Sequence, residues 1–137
     1  GLITNFSEIK KLINKYNKMK EEEKTGEWEK YTKKEQVDFA KHLVKMDKIL
    51  SGLAGLAKLP DVLFVPAMQR EKTAVLEANR MGVTVVAITD TNANPDKADY
   101  FIPANDDAVN SIKMMVELVA GAIKEGKAEI VKSEIKK

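Results

Sequence analysis

Apolar residues recur at helical spacing in two stretches near the start of the chain. The first stretch, residues 7–24, carries an apolar stripe made of Ile9, Leu12, Ile13, Tyr16 and Met19. The second stretch carries apolar residues at alternating intervals of four and three, at Phe39, Leu43, Met46, Leu50 and Leu53. This heptad-like spacing is typical of a helix that packs lengthwise on another helix. Because the segment between the stretches is short, we predict an antiparallel helical hairpin over residues 1–58.

Polar residues mark where the two predicted helices begin and end. Ser7, or alternatively Asn5, is in place to cap the first helix. Gly26 should end that helix. Thr32 and Glu35 have the spacing of a capping box, in which each side chain satisfies a free backbone amide of the other residue.

A different pattern begins after Pro60. Val62–Val65 is a short unbroken apolar run, as expected for a strand buried on both faces. Residues 69–81 then show helical spacing, and Gly82 stands where a helix ends. Val83–Ile88 is a second apolar run. This strand–helix–strand unit predicts a right-handed crossover between parallel strands.

The remaining residues predict a third strand and a last helix. The strand is Tyr100–Ile102, and Asn105 is the expected helix cap. We expect the buried face of the helix to consist of Val109, Ile112, Val116, Val119 and Ile123. Gly126 should end the helix, which would leave residues 127–137 as a loose charged tail.

Strands that alternate with helices predict an α/β half-domain over residues 59–126, with a parallel sheet and helices on both faces, next to the protruding hairpin. Three strands and two helices are too few to cover both faces of such a sheet. We therefore expect further strands to come from outside this sequence, and Gly1 in place of Met indicates a processed start. The isolated chain should be marginally stable or self-associating.

Composition excludes several classes of protein. The 137 residues include no cysteine, so neither a disulfide framework nor a thiolate metal site is possible. The hydrophobic share of 44% suits a globular core rather than a disordered chain. No apolar run is long enough for a membrane span. These features favour a cytoplasmic protein without a membrane partner.

Positive charge is concentrated in the first part of the chain. Residues 1–59 hold 13 lysines against 9 acidic residues, whereas residues 60–137 hold 10 basic against 12 acidic residues. Nine hairpin lysines could contact RNA phosphates: Lys10, Lys11, Lys15, Lys18, Lys33, Lys34, Lys41, Lys45 and Lys48. The alternative is an ordinary solvated helix surface. Trp28 and Tyr31, at the predicted hairpin tip, either contact a partner or pack on each other.

Acidic and amide residues follow the second strand, at Asp90, Asn92, Asp96 and Asp99. One interpretation is a site for a hard cation or a sugar at the carboxyl end of a strand. The other is turn chemistry, because Asn and Asp favour tight bends. No nucleophile or base accompanies the carboxylates, and no glycine-rich phosphate loop is present. The one histidine, His42, lies among lysines and lacks an evident catalytic partner.

Several segments of the chain resemble the bacterial small-subunit ribosomal protein two family. The first is the opening run Leu2-Ile3-Thr4-Asn5-Phe6. The second is Leu59–Val65, with Glu77-Ala78-Asn79 and Gly82 at family spacing. The third is the most specific and comprises Ala87–Asn92, Asn94-Pro95-Asp96 and Ile102–Ala108. The resemblance extends to about residue 127, although Thr84, Ala104 and Pro66–Arg70 depart from the usual family sequence.

The resemblance implies a flavodoxin-like parallel sheet, of which this chain would hold the C-terminal half, and a helical arm. It also implies a structural constituent of the small ribosomal subunit that binds ribosomal RNA and neighbouring proteins, including the large first protein of that subunit. No catalytic residue, metal, cofactor or small-molecule substrate is expected. We select Lys10, Lys11, Lys15, Lys18, Lys33 and Lys34 for contact with phosphates. Loop and capping roles are expected for Asp90, Thr91, Asn92, Asn105, Asp106 and Asp107.

Two other functions remain open at this point. A small-ligand-binding or enzymatic flavodoxin-like domain would use the loop Asp90–Asp99 and would need a concave site. A coiled-coil adaptor would use the hairpin to hold another protein.

Overall fold

The computed structural model describes residues 1–135, with side chains described as far as residue 131. These residues form two compact units, the first spanning Gly1–Pro60 and the second beginning at Asp61. The division into residues 1–58, 59–126 and 127–137 that we drew from the sequence remains a prediction.

The first unit is the predicted antiparallel hairpin. Helix α1 spans Phe6–Thr25, a 3₁₀ turn at Glu27–Lys30 reverses the chain, and helix α2 spans Lys33–Leu50. Gly26, between α1 and the turn, has a φ of 75°, a left-handed conformation that suits glycine. A second 3₁₀ turn, Ser51–Leu53, follows α2 directly.

An apolar cluster holds the two helices together. Its buried members are Ile13, Tyr16, Trp28, Leu43, Met46 and Leu50. All except Trp28 belong to the two predicted stripes, and burial of an aliphatic side chain of this size stabilises a fold by roughly 1.5–3 kcal/mol. The ring centroids of Trp28 and Tyr31 lie 5.7 and 5.2 Å from that of Phe39. The two aromatic residues at the tip therefore pack on Phe39.

The cap predicted for the start of α2 is present, whereas the cap predicted for the start of α1 is not. Thr32 accepts a hydrogen bond from the Glu35 amide, and the Glu35 carboxylate accepts one from the Thr32 amide, so the predicted capping box is confirmed. Asn5 is the residue before α1, but its side chain makes no capping hydrogen bond. Ser7 lies inside the helix, so the prediction that it caps α1 is wrong.

The second unit contains a parallel sheet with the strand order β1–β2–β3. The strands are β1 (Val62–Val65), β2 (Thr84–Thr89) and β3 (Tyr100–Pro103). Val85 and Ile88 of the central strand have no exposed surface, as is typical of parallel strands covered on both faces. The predicted α/β class is confirmed, and the arrangement is consistent with a flavodoxin-like fold.

Helix α3, Lys72–Met81, is the crossover between β1 and β2 and packs against β2. Val75 and Ala78 form its buried face. The predicted start at Gln69 is too early, because the residues before Lys72 form a turn. Gly82 ends the helix with a φ of 68°, as its position in the sequence indicates.

Helix α4 spans Val109–Ile135 and is longer than predicted. It continues through Gly126, so the helix end predicted there is wrong and residues 127–135 of the expected loose tail are helical. Glycine inside a helix costs only about 1 kcal/mol, and the residues around it are good helix formers. Residues 136 and 137, the end of the expected tail, lie outside the described residues.

The buried face predicted for α4 is also wrong. Val109, Val116 and Ile123 are 78%, 40% and 52% exposed, and Ile112 and Val119 are only partly buried. The reason is that α4 makes few contacts with the other described elements. Over the described residues, no helix combines the length and the apolar character that a bilayer span requires.

Candidate nucleic-acid interface

The lysines of α1 lie mainly on the outward face of the hairpin. Lys11, Lys15 and Lys18 fall within about 60° of one another around the helix axis and opposite the buried Ile13 and Tyr16. All three side chains are exposed. This face can meet a phosphate backbone without disturbing the hairpin core.

Acidic neighbours already neutralise part of that charge. Lys11 Nζ lies 2.7 Å from a carboxylate oxygen of Glu8, and Lys18 Nζ lies 3.7 Å from one of Glu22. Lys15 forms no ion pair among the described residues. Exposed pairs of this kind hold each other only weakly, so a phosphate can compete for Lys11 and Lys18, but Lys15 is available without competition.

The other three selected lysines lie apart from this face. Lys10 is on the flank of α1, whereas Lys33 and Lys34 begin α2 at the other end of the hairpin. All three are exposed and form no ion pair within the described residues. The six selected lysines therefore form an extended cationic surface instead of one compact patch.

Helix α2 carries a further row of lysines. The sequence analysis named them as possible phosphate contacts but did not include them in the final selection of six. Lys41, Lys45 and Lys48 share the outward face of α2, opposite the buried Leu43 and Met46. None of the three forms an ion pair in the described part of the chain. The α1 row and the α2 row each lie opposite the buried face of their own helix, although Lys15 and Lys45 line one groove with Leu12 and Ile49.

The hydroxyl of the buried Tyr16 links the two helices of the hairpin. The Tyr16 hydroxyl donates a hydrogen bond to Asp47 across the hairpin. Lys20 Nζ lies 2.8 Å from the Tyr16 hydroxyl oxygen and 3.4 Å from Asp47 Oδ1. The Tyr16 hydrogen bond, followed by that of Lys20, holds the pKa of Asp47 below its usual value. The bond to Tyr16, followed by that to Asp47, raises the pKa of Lys20.

Carboxylates from two loops meet at one edge of the sheet. Asp90 follows β2, and Asp106 and Asp107 lie between β3 and α4. Because β2 and β3 are parallel neighbours, their carboxyl ends lie side by side. One carboxylate oxygen of each aspartate lies within 4.8 Å of the others. Asp106 is only 3% exposed.

Backbone amides and one cation balance most of this negative charge. Asp90 accepts hydrogen bonds from the amides of Thr91 at 2.6 Å and Asp106 at 3.4 Å. The Thr91 amide is the main reason that the pKa of Asp90 is lowered. Arg70 Nη2 lies 2.6 Å from Asp107 Oδ1. By contrast, the buried Oδ2 of Asp106 has no hydrogen-bond partner among the described residues.

This carboxylate cluster has the chemistry to hold a metal ion. Convergent carboxylate oxygens are the preferred ligands of hard divalent cations such as Mg²⁺ and Ca²⁺. The free oxygen of Asp106 is available for such a contact, and Asp90 can supply a second. Asp107 fits less well, because Arg70 already provides its positive partner.

The other predicted loop residues do not join this cluster. Asp99 accepts a hydrogen bond from the Val85 amide at 2.7 Å, near the start of β2. Asp90 lies about 16 Å further along the strand direction, at roughly 3.3 Å per residue. Asn94 accepts a hydrogen bond from the Asp96 amide, which is local turn chemistry. The carboxylates of the loop Asp90–Asp99 thus do not converge on one small ligand.

Asn105 was predicted to cap α4, but α4 begins four residues later at Val109, so Asn105 orders the turn before the helix instead of capping it. Its Oδ1 accepts hydrogen bonds from the amides of Asp107 at 2.9 Å and Ala108 at 2.7 Å, immediately before α4. Thr91 and Asn92 are exposed loop residues, and Thr91 contributes its backbone amide to Asp90. His42 is also exposed, on the hairpin, where it lines a groove with Leu12.

Sequence reasoning missed two features of the site. The proximity of Asp106 to Asp90 could have been found from the rule that neighbouring parallel strands end at the same edge. The ion pair of Arg70 with Asp107 had no such signal, because the two residues are 37 positions apart and lie in different loops.

Comparison with known proteins supplies the family. A family model described as Ribosomal protein S2 matches residues 1–126. The chain belongs to this family. Among its relatives are proteins named small ribosomal subunit protein uS2 from three bacteria. That of Endomicrobium trichonymphae is 41% identical over 134 residues, which is 98% of this chain and 55% of the relative.

The other two relatives give a similar picture. The protein of Petrotoga mobilis is 45% identical over 127 residues, which is 93% of this chain and 44% of the relative. That of Wolinella succinogenes is 46% identical over 128 residues, with 93% and 47% covered. The chain thus spans about half the length of the relatives it matches.

Proposed function

We propose that this chain acts as a structural constituent of the small ribosomal subunit. Membership of the Ribosomal protein S2 family over residues 1–126 is the observation that carries this proposal. The names of the relatives place those proteins in the small subunit. The chain would work in the cytoplasm as part of the ribosome, without catalytic activity.

Ribosomal RNA is the proposed main partner, with the hairpin lysines as the contact surface. Lys10, Lys15, Lys33 and Lys34 are exposed and lack ion-pair partners within the described residues. Lys11 and Lys18 complete the set and would exchange Glu8 and Glu22 for phosphates. Each lysine would act as a point charge that positions the protein without reading base sequence.

Loop chemistry supports a scaffold role for the sheet. Asn105 orders the turn that precedes α4, and the Asp90 carboxylate joins its own loop to the Asp106 amide. These contacts fix two loops at the edge where other chains of an assembly can reach them. Neighbouring ribosomal proteins, including the large first protein of the subunit, are the proposed protein partners.

Sedimentation of ribosomes tests the proposal. We expect the tagged chain, expressed within its native polypeptide, to migrate with small subunits in a sucrose gradient and to remain there in moderate salt. Because the proposal assigns no reaction to the chain, we expect no enzymatic turnover that is lost in Asp90→Asn. The proposal is contradicted if the polypeptide stays with free protein, or if a turnover is measured that depends on Asp90.

A further inference from the structure

Asp106 is a buried carboxylate with an oxygen that no group in the described part of the chain satisfies. The residue is 3% exposed, and its Oδ2 has no hydrogen-bond partner among the described residues. An ionised carboxylate that leaves water without a partner strongly destabilises a fold. The buried position of Asp106 therefore requires a positive group or a hydrogen-bond donor at Oδ2.

Two further carboxylates lie beside Asp106. One carboxylate oxygen each of Asp90, Asp106 and Asp107 lies within 4.8 Å of the others. Both oxygens of a carboxylate are bonded to the same carbon, so Oδ2 of Asp106 lies at this cluster whichever of its oxygens is nearer to the neighbours. Asp90 is partly exposed and Asp107 is exposed. An ion can therefore reach the buried carboxylate from the side of these two residues.

The charge of the cluster fits a divalent cation. Arg70 supplies one positive charge through its contact with Asp107 Oδ1 at 2.6 Å. Three carboxylates against one guanidinium leave two negative charges. The amides of Thr91 and Asp106 donate hydrogen bonds to Asp90 but carry no net charge. One doubly charged ion would balance what remains.

The separation of the three oxygens indicates the size of this ion. Three points within 4.8 Å of one another all lie within about 2.8 Å of a common centre, which is 4.8 Å divided by √3. Ca²⁺ binds oxygen at roughly 2.3–2.6 Å in irregular geometry, whereas Mg²⁺ requires roughly 2.0–2.1 Å and a regular octahedron. Ca²⁺ is thus reached after small shifts of the carboxylates, but for Mg²⁺ each oxygen would move inward by up to about 0.7 Å.

We propose that Asp90 and Asp106 bind one hard divalent cation of about the size of Ca²⁺, with Asp107 as a third ligand. The ion neutralises the buried carboxylate and joins the loop after β2 to the loop before α4. Arg70 competes with the ion for Asp107. This assignment concerns the edge of the sheet and does not depend on the proposed function.

Calorimetric titration of the chelator-treated polypeptide with CaCl₂ tests the site. We expect one ion to bind per chain with a Kd on the order of 10⁻⁴–10⁻³ M, the range of weak carboxylate sites, and MgCl₂ to bind less tightly. Asp106→Asn should weaken Ca²⁺ binding by about tenfold or more, because it removes the buried ligand charge. Asp96→Asn is the matched control, since it removes an equal charge from an exposed loop residue outside the cluster.

Arg70 provides a second variant, for which the expected change has the opposite sign. Arg70→Gln releases Asp107, so we expect Ca²⁺ to bind severalfold more tightly. Arg80→Gln removes the same charge from the last turn of α3, a helix roughly 15 Å long that begins just after Arg70, and should leave the affinity nearly unchanged. Tighter binding in Arg70→Gln cannot result from poor folding, so this variant stays informative if Asp106→Asn is unstable.

Thermal unfolding supplies an independent measurement. Because an ion that binds the folded chain stabilises it, CaCl₂ should raise the Tm of the parent chain and of Asp96→Asn but not that of Asp106→Asn. An equal rise in all three would place the ion elsewhere and overturn the inference.

Three results of the titration would also overturn it. These are no binding of Ca²⁺ below about 10 mM, unchanged binding in Asp106→Asn, and weaker binding in Arg70→Gln. Tighter binding of Mg²⁺ than of Ca²⁺ would overturn the size assigned to the ion. If the polypeptide binds Ca²⁺ as expected but does not migrate with small subunits, the proposed function fails and the metal site stands.

Discussion

The hydroxyl of Tyr16, a residue with no exposed surface, donates a hydrogen bond to Asp47 on the facing helix. We expect Tyr16→Phe to lower the free energy of unfolding by about 1–2 kcal/mol, because the ring still fills the core but Asp47 loses its main donor. Urea unfolding measures the change. Tyr31→Phe is the control, since Tyr31 is partly exposed and its ring, not its hydroxyl, contacts Phe39. A larger loss in the control would contradict this role for Tyr16.

The same pair predicts a pH dependence of hairpin stability. The pKa of Asp47 is lowered in the folded chain, so its contribution is present above the unfolded value near 3.8 and is lost as pH falls through the folded value. Lys20 has a raised pKa, so its contribution persists below pH 10.5 and disappears only above that. We expect Asp47→Asn to be less stable than the parent chain at pH 7 and equal to it in strong acid. A difference that stayed constant with pH would contradict the assignment.

The capping box at Thr32 should matter more than the serine that the sequence favoured for α1. Thr32→Ala removes the acceptor of the Glu35 amide, and we expect a loss of about 1 kcal/mol in the free energy of unfolding. Ser7→Ala should change stability by less than about 0.5 kcal/mol, because Ser7 is an exposed helical residue. Thermal unfolding of the two variants compares them directly, and a loss in Thr32→Ala no larger than that in Ser7→Ala would contradict the prediction.

Lysines without acidic partners should contribute most to RNA binding. We expect K10Q/K15Q to weaken binding to small-subunit RNA more than K11Q/K18Q, because Lys11 and Lys18 must first leave Glu8 and Glu22. Filter binding between about 50 and 200 mM salt measures the affinity and its salt slope, which should become shallower with each phosphate that a variant no longer neutralises. An affinity that is independent of salt would contradict an electrostatic interface.

Asp106 and Asp99 predict opposite effects on stability when each is replaced by asparagine. Asp106→Asn removes a buried charge whose Oδ2 lacks a partner among the described residues, so we expect an increase in stability on the order of 1 kcal/mol in a buffer with a chelator. Asp99→Asn should instead lower stability, because the Asp99 carboxylate accepts the Val85 amide. Thermal unfolding compares the two variants. A lower stability of Asp106→Asn would mean that its charge has a favourable partner.

Sequence patterns predicted the hairpin well, because the buried face and the start of each helix depend on residues that are close together in the chain. The spacing of Ile13 and Tyr16 identifies one face of α1, and the capping box identifies the start of α2 without any knowledge of the fold. The same reasoning failed at α4. The spacing of Val116 and Ile123 shows that they share a face, but only the position of other elements decides whether that face is covered.

The candidate site could be predicted only where it depends on spacing within one helix. The exposed lysines could be recognised from their place opposite the apolar stripes. Their pairing with acidic residues depends on side-chain geometry, and the meeting of Asp90 with Asp106 depends on which strands are neighbours. The ion pair between Arg70 and Asp107 required the full arrangement of the second unit.

The lysine rows of α1 and α2 are set by helix geometry, because each lies opposite the buried face of its own helix. They are not fully separated, since Lys15 and Lys45 line one groove with Leu12 and Ile49. A partner seated along this groove would reach lysines of both rows, whereas a partner laid along the outer side of one helix would leave the other row in water.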